Sequence, residues 1–380
     1  MPRFCFEGGG SIMSGKMLIT GNEAVAYAAI NAGMNYFAGY PITPATEIAE
    51  LCSQKLLLSG GVYMQMEDEL AAICSVVGAS LTGARAMTAT SGPGFSLMQE
   101  GIGLAITTEA PCVIVNVMRR GPNQGVSTLP AQGDILQAVF GTNGDHPAVV
   151  IAPAYIEELY IQTMRAFDIA EMLLMPVIVL SDAYMAHMSE MVDIESAALK
   201  AQRMTKALSE HVNGCGHMRR IIGRGERWCT TGLLHNKAGL PITDPKQVKD
   251  EVNRLLRKTE DNKAILECFD EYLVDDAEIV IVGIGVPARN AMYATELARS
   301  QGKKVGVFRP VTLWPFPEKR LKELADGGKR IITCEMNGGQ LNYLCKAAVS
   351  SKDIHSLTLN SGEVINVKSI AAAIDEVYYG

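Results

Sequence analysis

The chain has 380 residues, of which 48% are hydrophobic, and its 34 basic and 41 acidic residues give a net charge of -7. A chain of this length and hydrophobicity can form two domains with separate cores, so disorder is not expected. The slightly acidic balance, without a basic block, argues against a nucleic-acid surface, and we expect a small molecule or another protein as the partner.

The nine cysteines are typical of reduced thiols in a cytoplasmic protein. Their number is odd, their spacing is irregular, and several lie in apolar runs such as "AAICSVV", which favours buried thiols over disulfides. No C-x-x-C occurs, so we do not expect this chain alone to hold a ferredoxin-type iron–sulfur cluster. The longest apolar run, near "MLLMPVIVL", is shorter than the ~20 residues of a membrane helix. No membrane association is therefore expected.

From Met17 the sequence alternates short apolar segments with helix-length segments. Residues 1–16 contain three consecutive glycines and predict a flexible leader. Four segments predict helices: "GNEAVAYAAINAG", "PATEIAELCSQKLLLS", "DELAAICSVVGASLTG" and "FSLMQEGIGLAITTEA". Each is followed by a segment that predicts a strand: "NYFAGY", "VYMQME", "RAMTATS" and "PCVIVNVM". Strands that alternate with helices predict a parallel α/β sheet with crossover helices, and the pattern continues to residue 189.

The alternation stops at residue 190 and resumes near residue 263. Residues 190–262 are charged and interrupted by glycines, so we expect a connecting segment. From "AEIVIVGIG" through "KKVGVFRP" and "KRIITCEMN", residues 263–380 predict a smaller α/β domain with a sheet of four strands. The predicted organisation is a first domain at 17–189, a connecting segment and a C-terminal domain.

Two motifs resemble familiar sites without matching their spacing. Gly283-x-Gly285 follows a strand, but the third glycine and the acidic residue of a dinucleotide site are missing, so we expect only a tight turn. The connecting segment contains two cysteines and two histidines in neither zinc-finger spacing, and no metal site is expected there: Cys215, His217, Cys229 and His235.

Two stretches are candidates for a binding site. Glu67, Asp68 and Glu69 follow a strand and open a helix, where they either complement the helix N-terminus or turn one carboxylate inward towards a ligand. The polar loop 118–134 follows a buried strand and contains the paired arginines Arg119 and Arg120, which suit an anionic substrate, although a solvated surface loop is the alternative. Spacing alone leaves both questions open.

A resemblance covers nearly the whole chain from Met17 and rests on "GNEAVAYAAINAG", "GYPITPATEIAE", "MQMEDELAA", "ATSGPGFSLMQEGIGLA", "RRGPNQGVSTLPAQGD", "VGVFRPVTLWPFPEKRLKEL" and "CEMNGGQL". These stretches resemble the alpha subunits of the 2-oxoacid:ferredoxin oxidoreductases, especially the branches for 2-oxoglutarate and 2-oxoisovalerate. The resemblance implies a thiamine-diphosphate-binding parallel sheet that faces the pyrimidine, followed by a C-terminal domain of transketolase type.

The resemblance also implies an activity and its partners. A separate beta subunit would hold the diphosphate, its Mg²⁺ and a [4Fe–4S] cluster, and a separate gamma subunit would help to bind coenzyme A. The assembled enzyme would decarboxylate a 2-oxoacid such as 2-oxoglutarate oxidatively, form the acyl-coenzyme A and reduce ferredoxin. A 2-oxoisovalerate enzyme is the alternative within the family, the pyruvate and indolepyruvate branches are disfavoured by the loop "GPNQGVSTLPAQGD", and a non-catalytic scaffold is the alternative outside enzymes.

The resemblance assigns roles to individual residues. Glu67 matches the glutamate that hydrogen-bonds N1′ of the thiamine pyrimidine, and Arg119 matches the arginine that meets the substrate carboxylate. Thr43 would face the cofactor and the substrate carboxylate, and its hydroxyl is expected to cap a helix that begins at Pro44. The implied cofactor contacts are Tyr40, Pro41, Ile42, Thr43, Glu67, Ser91 and Gly92.

Overall fold

The fold is taken from a computed structural model, which describes residues 15–212, 219–225, 228–349 and 354–380. The elements up to residue 211 are β1 (Lys16–Thr20), α1 (Gly21–Asn31), β2 (Tyr36–Gly39), α2 (Thr46–Leu58), β3 (Val62–Gln65), α3 (Glu69–Leu81), β4 (Ala86–Thr90), α4 (Pro93–Leu97), α5 (Gln99–Thr107), β5 (Cys112–Arg120), β6 (Val126–Pro130), α6 (Ile135–Phe140), β7 (Val150–Ile151), α7 (Ile156–Leu173), β8 (Pro176–Asp182), α8 (Ala183–His187), β9 (Ser189–Asp193) and α9 (Ile194–His211). The later elements are α10 (Pro245–Glu260), α11 (Lys263–Leu266), β10 (Phe269–Tyr272), β11 (Ile279–Gly283), α12 (Gly285–Ser300), β12 (Val305–Pro310), β13 (Thr312–Trp314), α13 (Glu318–Asp326), β14 (Arg330–Glu335), α14 (Gln340–Ala348), β15 (Ile354–Thr358) and α15 (Val367–Tyr379).

The first domain is built on a large, mostly parallel sheet, as the sequence predicts. Its strands lie in the order β13, β7, β8, β5, β4, β2 and β3, with β6 paired to β5 at one end. The central strands β5 and β8 are almost wholly buried because helices cover both faces of the sheet. This burial explains why their sequences are continuous apolar runs.

The second sheet has five strands where the sequence predicts four. Its order is β10, β12, β11, β14 and β15, and the additional strand is β10, which pairs antiparallel with β12 at the edge of the sheet. The sequence of β10 is "FDEY", and an acidic edge strand lacks the apolar run by which buried strands are recognised. Gly283 and Gly285 form the tight turn between β11 and α12, as expected from the sequence.

The segment expected to connect the domains contains regular structure at both ends. Strand β9 pairs antiparallel with β1, and the amphipathic helix α9 packs against α7 of the first domain. Helix α10 begins at Pro245 after Asp244, whose side chain accepts a hydrogen bond from the Gln247 amide and caps the helix.

The two domains share structure across their boundary. Strand β13, from the C-terminal part of the chain, pairs antiparallel with β7 and completes the end of the first sheet. The buried Arg309 on β12 forms an ion pair with Glu158 on α7, at 2.6 Å. Arg165 on the same helix donates to the Leu266 carbonyl at 2.8 Å. These contacts fix how the two sheets lie relative to each other.

Three properties expected from composition can be compared with the described residues. None of their helices combines the length and the apolar character needed to cross a membrane. The seven cysteines within them are unpaired, and four are buried: Cys52, Cys112, Cys334 and Cys345. No group of three or more histidine, cysteine, aspartate or glutamate side chains in the described residues could hold a metal ion. Cys229 and His235 lie in this part of the chain, and Cys215 and His217 lie outside it.

The close contact between helices α3 and α5 allows a test of how the helices pack in the first domain. Gly101 on α5 lies against Ile73 on α3, and a Cβ at Gly101 would overlap that side chain. We expect Gly101→Ala to lower the free energy of unfolding by about 1–3 kcal/mol, because the two helices must separate or Ile73 must change rotamer. Gly78→Ala is the matched control, since nothing lies within 4 Å of its Cβ, and it should stabilise α3 by up to about 1 kcal/mol. Urea unfolding measures both free energies. Equal effects of the two substitutions would contradict a close contact between α3 and α5 at Gly101.

Candidate active site

The residues singled out from the sequence lie at one edge of the large sheet. Neighbouring parallel strands β2, β3, β4 and β5 end there at Gly39, Gln65, Thr90 and Arg120. The predicted contacts at 40–43, Glu67, Ser91 and Gly92 follow three of these ends, and Arg119 lies within the fourth strand. The carboxyl edge of a parallel sheet is the usual place for a ligand in α/β proteins.

The "YPITP" turn is folded differently from the prediction. Helix α2 begins at Thr46, its N-cap is Ala45, and no side chain caps it, so the expected capping by Thr43 at a helix starting with Pro44 is wrong. The chain makes a further turn first, in which the Ala45 amide donates to the Ile42 carbonyl. Asn22, buried in α1, holds this turn by donating to the Pro44 carbonyl at 2.7 Å. Sequence favoured proline at the first helical position, whereas Pro44 lies in the turn that precedes the helix.

Arg119 joins the turn to the loop after β5. Its Nη1 donates to the Thr43 carbonyl at 2.7 Å, and its Nη2 donates to Oε1 of Gln124 at 3.0 Å. The side chain is buried, and burial lowers the pKa of Arg119, while the charges of Glu69 and Asp134 act in the opposite direction. Thr43 and Arg119 are therefore brought together, through the Thr43 main chain.

The three acidic residues at the start of α3 point in different directions. Glu67 is exposed, and Asp68 caps the helix by accepting from the Ala71 amide at 2.7 Å. Glu69 is buried, and burial raises its pKa, although the charge of Arg119 lowers it. Of the three carboxylates, the inward one is Glu69. The sequence could not select Glu69 over its two neighbours, because the spacing of three consecutive acidic residues does not show which carboxylate turns inward.

The loop 118–134 contains structure that the sequence analysis missed. Strand β6 folds back on β5, so that Pro130 lies opposite Arg119. Asp134 then accepts a hydrogen bond from Nδ2 of Asn116 at 2.9 Å, and burial raises the pKa of Asp134. The tight turn before β6 requires Gly125, which has φ +49° and whose Cβ would overlap the Arg120 carbonyl. The predicted polar loop is thus a hairpin that returns a carboxylate to the arginine.

Several buried polar atoms at this edge have no partner among the described residues: Thr90 Oγ1, Ser91 Oγ and Arg119 Nε. Gly92 lies between them, with φ +45°, and a Cβ there would come within 3.4 Å of Arg119 Nε. Unpaired buried donors and hydroxyls are uncommon in folded proteins, and a bound polar ligand or an ordered water is a way to satisfy them. This donor set fits the polar edge of an aminopyrimidine and a substrate carboxylate.

The rim of this site is exposed. Tyr40 is 41% exposed and Met64 is 43% exposed, and Pro41, Thr43 and Glu67 are exposed beside them. The site thus has a buried floor, formed by Arg119 and the hydroxyls, and an open upper side. An open side with apolar residues is typical of a surface that another protein covers.

A further carboxylate lies at the end of the next strand. Asp182 ends β8 opposite Met118, and its Oδ1 accepts from the amides of Tyr184 and Met185, which begin α8. The pKa of Asp182 is raised to about 6, because the effect of burial exceeds the opposite effect of these two hydrogen bonds. The sequence analysis did not single out Asp182, because an aspartate before a short helix reads as an N-cap.

Two family models match the chain. The thiamine diphosphate-binding domain of the pyruvate flavodoxin/ferredoxin oxidoreductases matches residues 27–254, and core domain II of pyruvate:ferredoxin oxidoreductase matches residues 277–370. The fold and the site edge therefore define a thiamine-diphosphate-binding α/β protein.

Similar proteins agree with this class. The 2-oxoglutarate synthase subunit KorA of Methanocaldococcus jannaschii is 41% identical, over 86% of this chain and 91% of the relative. The ketoisovalerate oxidoreductase subunit VorB of Methanothermobacter thermautotrophicus is 37% identical, over 95% of this chain and 97% of the relative. The solved 2-oxoglutarate:ferredoxin oxidoreductase from Magnetococcus marinus, with 2-oxoglutarate, coenzyme A and succinyl-CoA bound, is 30% identical with a TM-score of 0.88, over 96% of this chain and 65% of that chain. The chain belongs to the 2-oxoacid:ferredoxin oxidoreductase family.

The raised pKa of Asp182 predicts a pH dependence of stability. A carboxyl group whose pKa is about 6 in the folded chain and about 3.8 in the unfolded chain favours folding at low pH, and this contribution is lost as the pH rises from about 4 through about 6. Asp182→Asn keeps the capping oxygen and removes the charge. We expect its free energy of unfolding, relative to wild type, to increase by about 2–2.5 kcal/mol between pH 4 and pH 7. Urea unfolding across this range measures it; a constant difference would contradict the raised pKa.

Proposed function

We propose that this chain is the alpha subunit of a 2-oxoglutarate:ferredoxin oxidoreductase. The observation that carries the proposal is the buried Arg119 guanidinium, whose Nε has no partner among the described residues, at the carboxyl edge of a thiamine-diphosphate-binding domain. The KorA relatives support 2-oxoglutarate as the substrate. The reaction converts a 2-oxoacid and coenzyme A into the acyl-coenzyme A and CO2, and two electrons pass to ferredoxin.

When bound, thiamine diphosphate would supply a carbon nucleophile for the 2-oxo carbon and a sink for the electron pair that remains when CO2 leaves. Residues 40–43, Ser91 and Gly92 would hold its pyrimidine, beside the unpaired hydroxyls of Thr90 and Ser91. Glu67 would hold a proton at N1′ of the pyrimidine, and its exposed position on the rim leaves it free to do so.

Arg119 would bind the carboxylate of the 2-oxoacid. Two of its nitrogens are already directed by Thr43 and Gln124, so the guanidinium is held in one orientation and its Nε remains to donate. A preoriented planar donor is well suited to a carboxylate. Burial strengthens this interaction, because water does not compete for the donor.

The open side of the site favours activity only in an assembly. A beta subunit that covers the rim near Tyr40 and Glu67 would complete the cofactor site and hold the diphosphate and Mg²⁺. We infer that this partner also carries the [4Fe–4S] cluster, since the described residues show no cluster of cysteines, and that a separate gamma subunit and ferredoxin take part. The resemblance to the VorB relatives keeps 2-oxoisovalerate as the second candidate substrate.

Substitution of Glu67 tests the cofactor contact. We expect Glu67→Gln, in the complex assembled with the beta and gamma subunits, to lower kcat for 2-oxoglutarate by about 100-fold or more, because a glutamine cannot share the proton at N1′. Asp68→Asn is the matched control, since asparagine also caps a helix, and it should leave turnover within about twofold. Viologen reduction with coenzyme A present measures both, and size-exclusion chromatography confirms assembly.

Glu69→Gln distinguishes the two glutamates at the start of α3. If Glu69→Gln abolishes turnover and Glu67→Gln does not, the proton at N1′ is held by the buried carboxylate and our assignment is wrong. Normal turnover in both variants would contradict a carboxylate role at this helix.

Substitution of Arg119 tests substrate binding. We expect Arg119→Met to lower kcat/KM for 2-oxoglutarate by about 10- to 100-fold, since a charge-assisted contact to the carboxylate is lost. Steady-state kinetics with a panel of 2-oxoacids measures it, with wild type identifying the preferred substrate. An unchanged kcat/KM in an intact complex would exclude Arg119 as the carboxylate ligand, and a wild-type preference for 2-oxoisovalerate would replace 2-oxoglutarate in the proposal.

A further inference from the structure

Gln132 connects the first domain to the second through its main chain and its side chain. Its amide donates to the Met336 carbonyl at 2.9 Å, and its Oε1 accepts from the Met336 amide at 3.1 Å. Its Nε2 donates to the Ile284 carbonyl at 2.9 Å, and its carbonyl accepts from Nδ2 of Asn337 at 2.8 Å. The residue is buried, 1% exposed. Four hydrogen bonds from one residue to another domain, made without water, define a fixed junction.

Gln132 lies midway between two residues that face Arg119. Two residues earlier, Pro130 pairs with Arg119 across the hairpin. Two residues later, Asp134 contributes to the electrostatic environment of Arg119 and is held by Asn116. A shift of Gln132 would therefore move both the strand and the carboxylate that border the guanidinium.

The second domain is shaped to receive Gln132. Gly285, the first residue of α12, has φ +55°, and a Cβ there would come within 3.0 Å of Gln132 Nε2. Gly285, in the glycine pair that does not form a dinucleotide site, thus leaves room for the Gln132 side chain. Gln340 adds a second contact, since its Oε1 accepts from the Leu136 amide at 2.9 Å.

We propose that Gln132 is a positioning residue: through it, the second domain holds the strand and the carboxylate that border Arg119, and so supports the orientation in which Arg119 binds the 2-oxoacid carboxylate. The second domain then contributes to substrate binding without touching the substrate. This inference rests on the proposed function only for what Arg119 binds. The mechanical link between Gln132 and the hairpin 119–134 can be measured by itself.

The test uses Gln132→Met in the assembled complex, since methionine has a similar volume but cannot form the side-chain hydrogen bonds. We expect kcat/KM for the 2-oxoacid to fall about tenfold, because the guanidinium is less well oriented, and kcat/KM for coenzyme A to stay within about twofold. Hydrogen exchange of residues 119–134 should be faster than in wild type. In an Arg119→Met background the same substitution should cost less than about twofold, since Gln132 acts through Arg119.

Two further variants separate positioning from general stability. Gly285→Ala should also lower kcat/KM for the 2-oxoacid, because its Cβ would crowd Gln132 Nε2 at 3.0 Å. Glu158→Gln weakens the ion pair with Arg309, another contact between the domains, and should leave kcat/KM for the 2-oxoacid unchanged.

Two results would overturn the inference. One is an equal loss from Gln132→Met in the wild-type and Arg119→Met backgrounds, and the other is unchanged hydrogen exchange of residues 119–134. If the wild-type complex turns over no 2-oxoacid, the proposed function fails, and the exchange measurement still decides whether Gln132 holds the hairpin.

Discussion

The burial of one positive charge organises the edge of the large sheet. A buried guanidinium needs hydrogen-bond acceptors and negative charge around it, because it has lost its water. The "YPITP" turn and the loop after β5 supply the acceptors of Arg119 at Thr43 and Gln124. Glu69 and Asp134 supply the opposite charges. The "YPITP" turn, the start of α3 and the loop after β5 are distant in sequence, and they meet around the Arg119 side chain.

This arrangement explains why the site divides into two levels. The floor is made of buried groups fixed by internal contacts, and the rim is made of exposed groups such as Tyr40 and Glu67. A fixed floor would keep Arg119 preorganised for the carboxylate that we propose it binds, and the open rim leaves room for the beta subunit that we propose. The division of labour between subunits that the family implies thus corresponds to a physical division within this chain.

Much of the fold is predictable because it rests on periodic patterns. The buried strands β5 and β8 and the helices between them appear directly as apolar runs and helix-length segments. The exceptions depend on partners that are remote in the sequence. The acidic strand β10 is identified only by its pairing with β12, and the turn before α2 contacts Asn22, which lies more than twenty residues earlier in the chain. Within the site, the sequence placed a pair of arginines near the end of a strand and the resemblance selected Arg119, whereas the inward turn of Glu69 depends on the arginine it meets.

Strand β13 is made late in translation, but it belongs to the sheet of the first domain. The first sheet ends at β7 until residues 312–314 pair with it, so a first domain that folded before these residues were made would have one edge of its sheet uncovered. An uncovered edge strand can pair with another chain. The buried apolar strand β7 is short, only Val150–Ile151, which limits this danger while the remainder of the polypeptide is made. The last strand of the first sheet is thus supplied by the C-terminal part of the chain, and the pairing that joins the two domains also covers this edge.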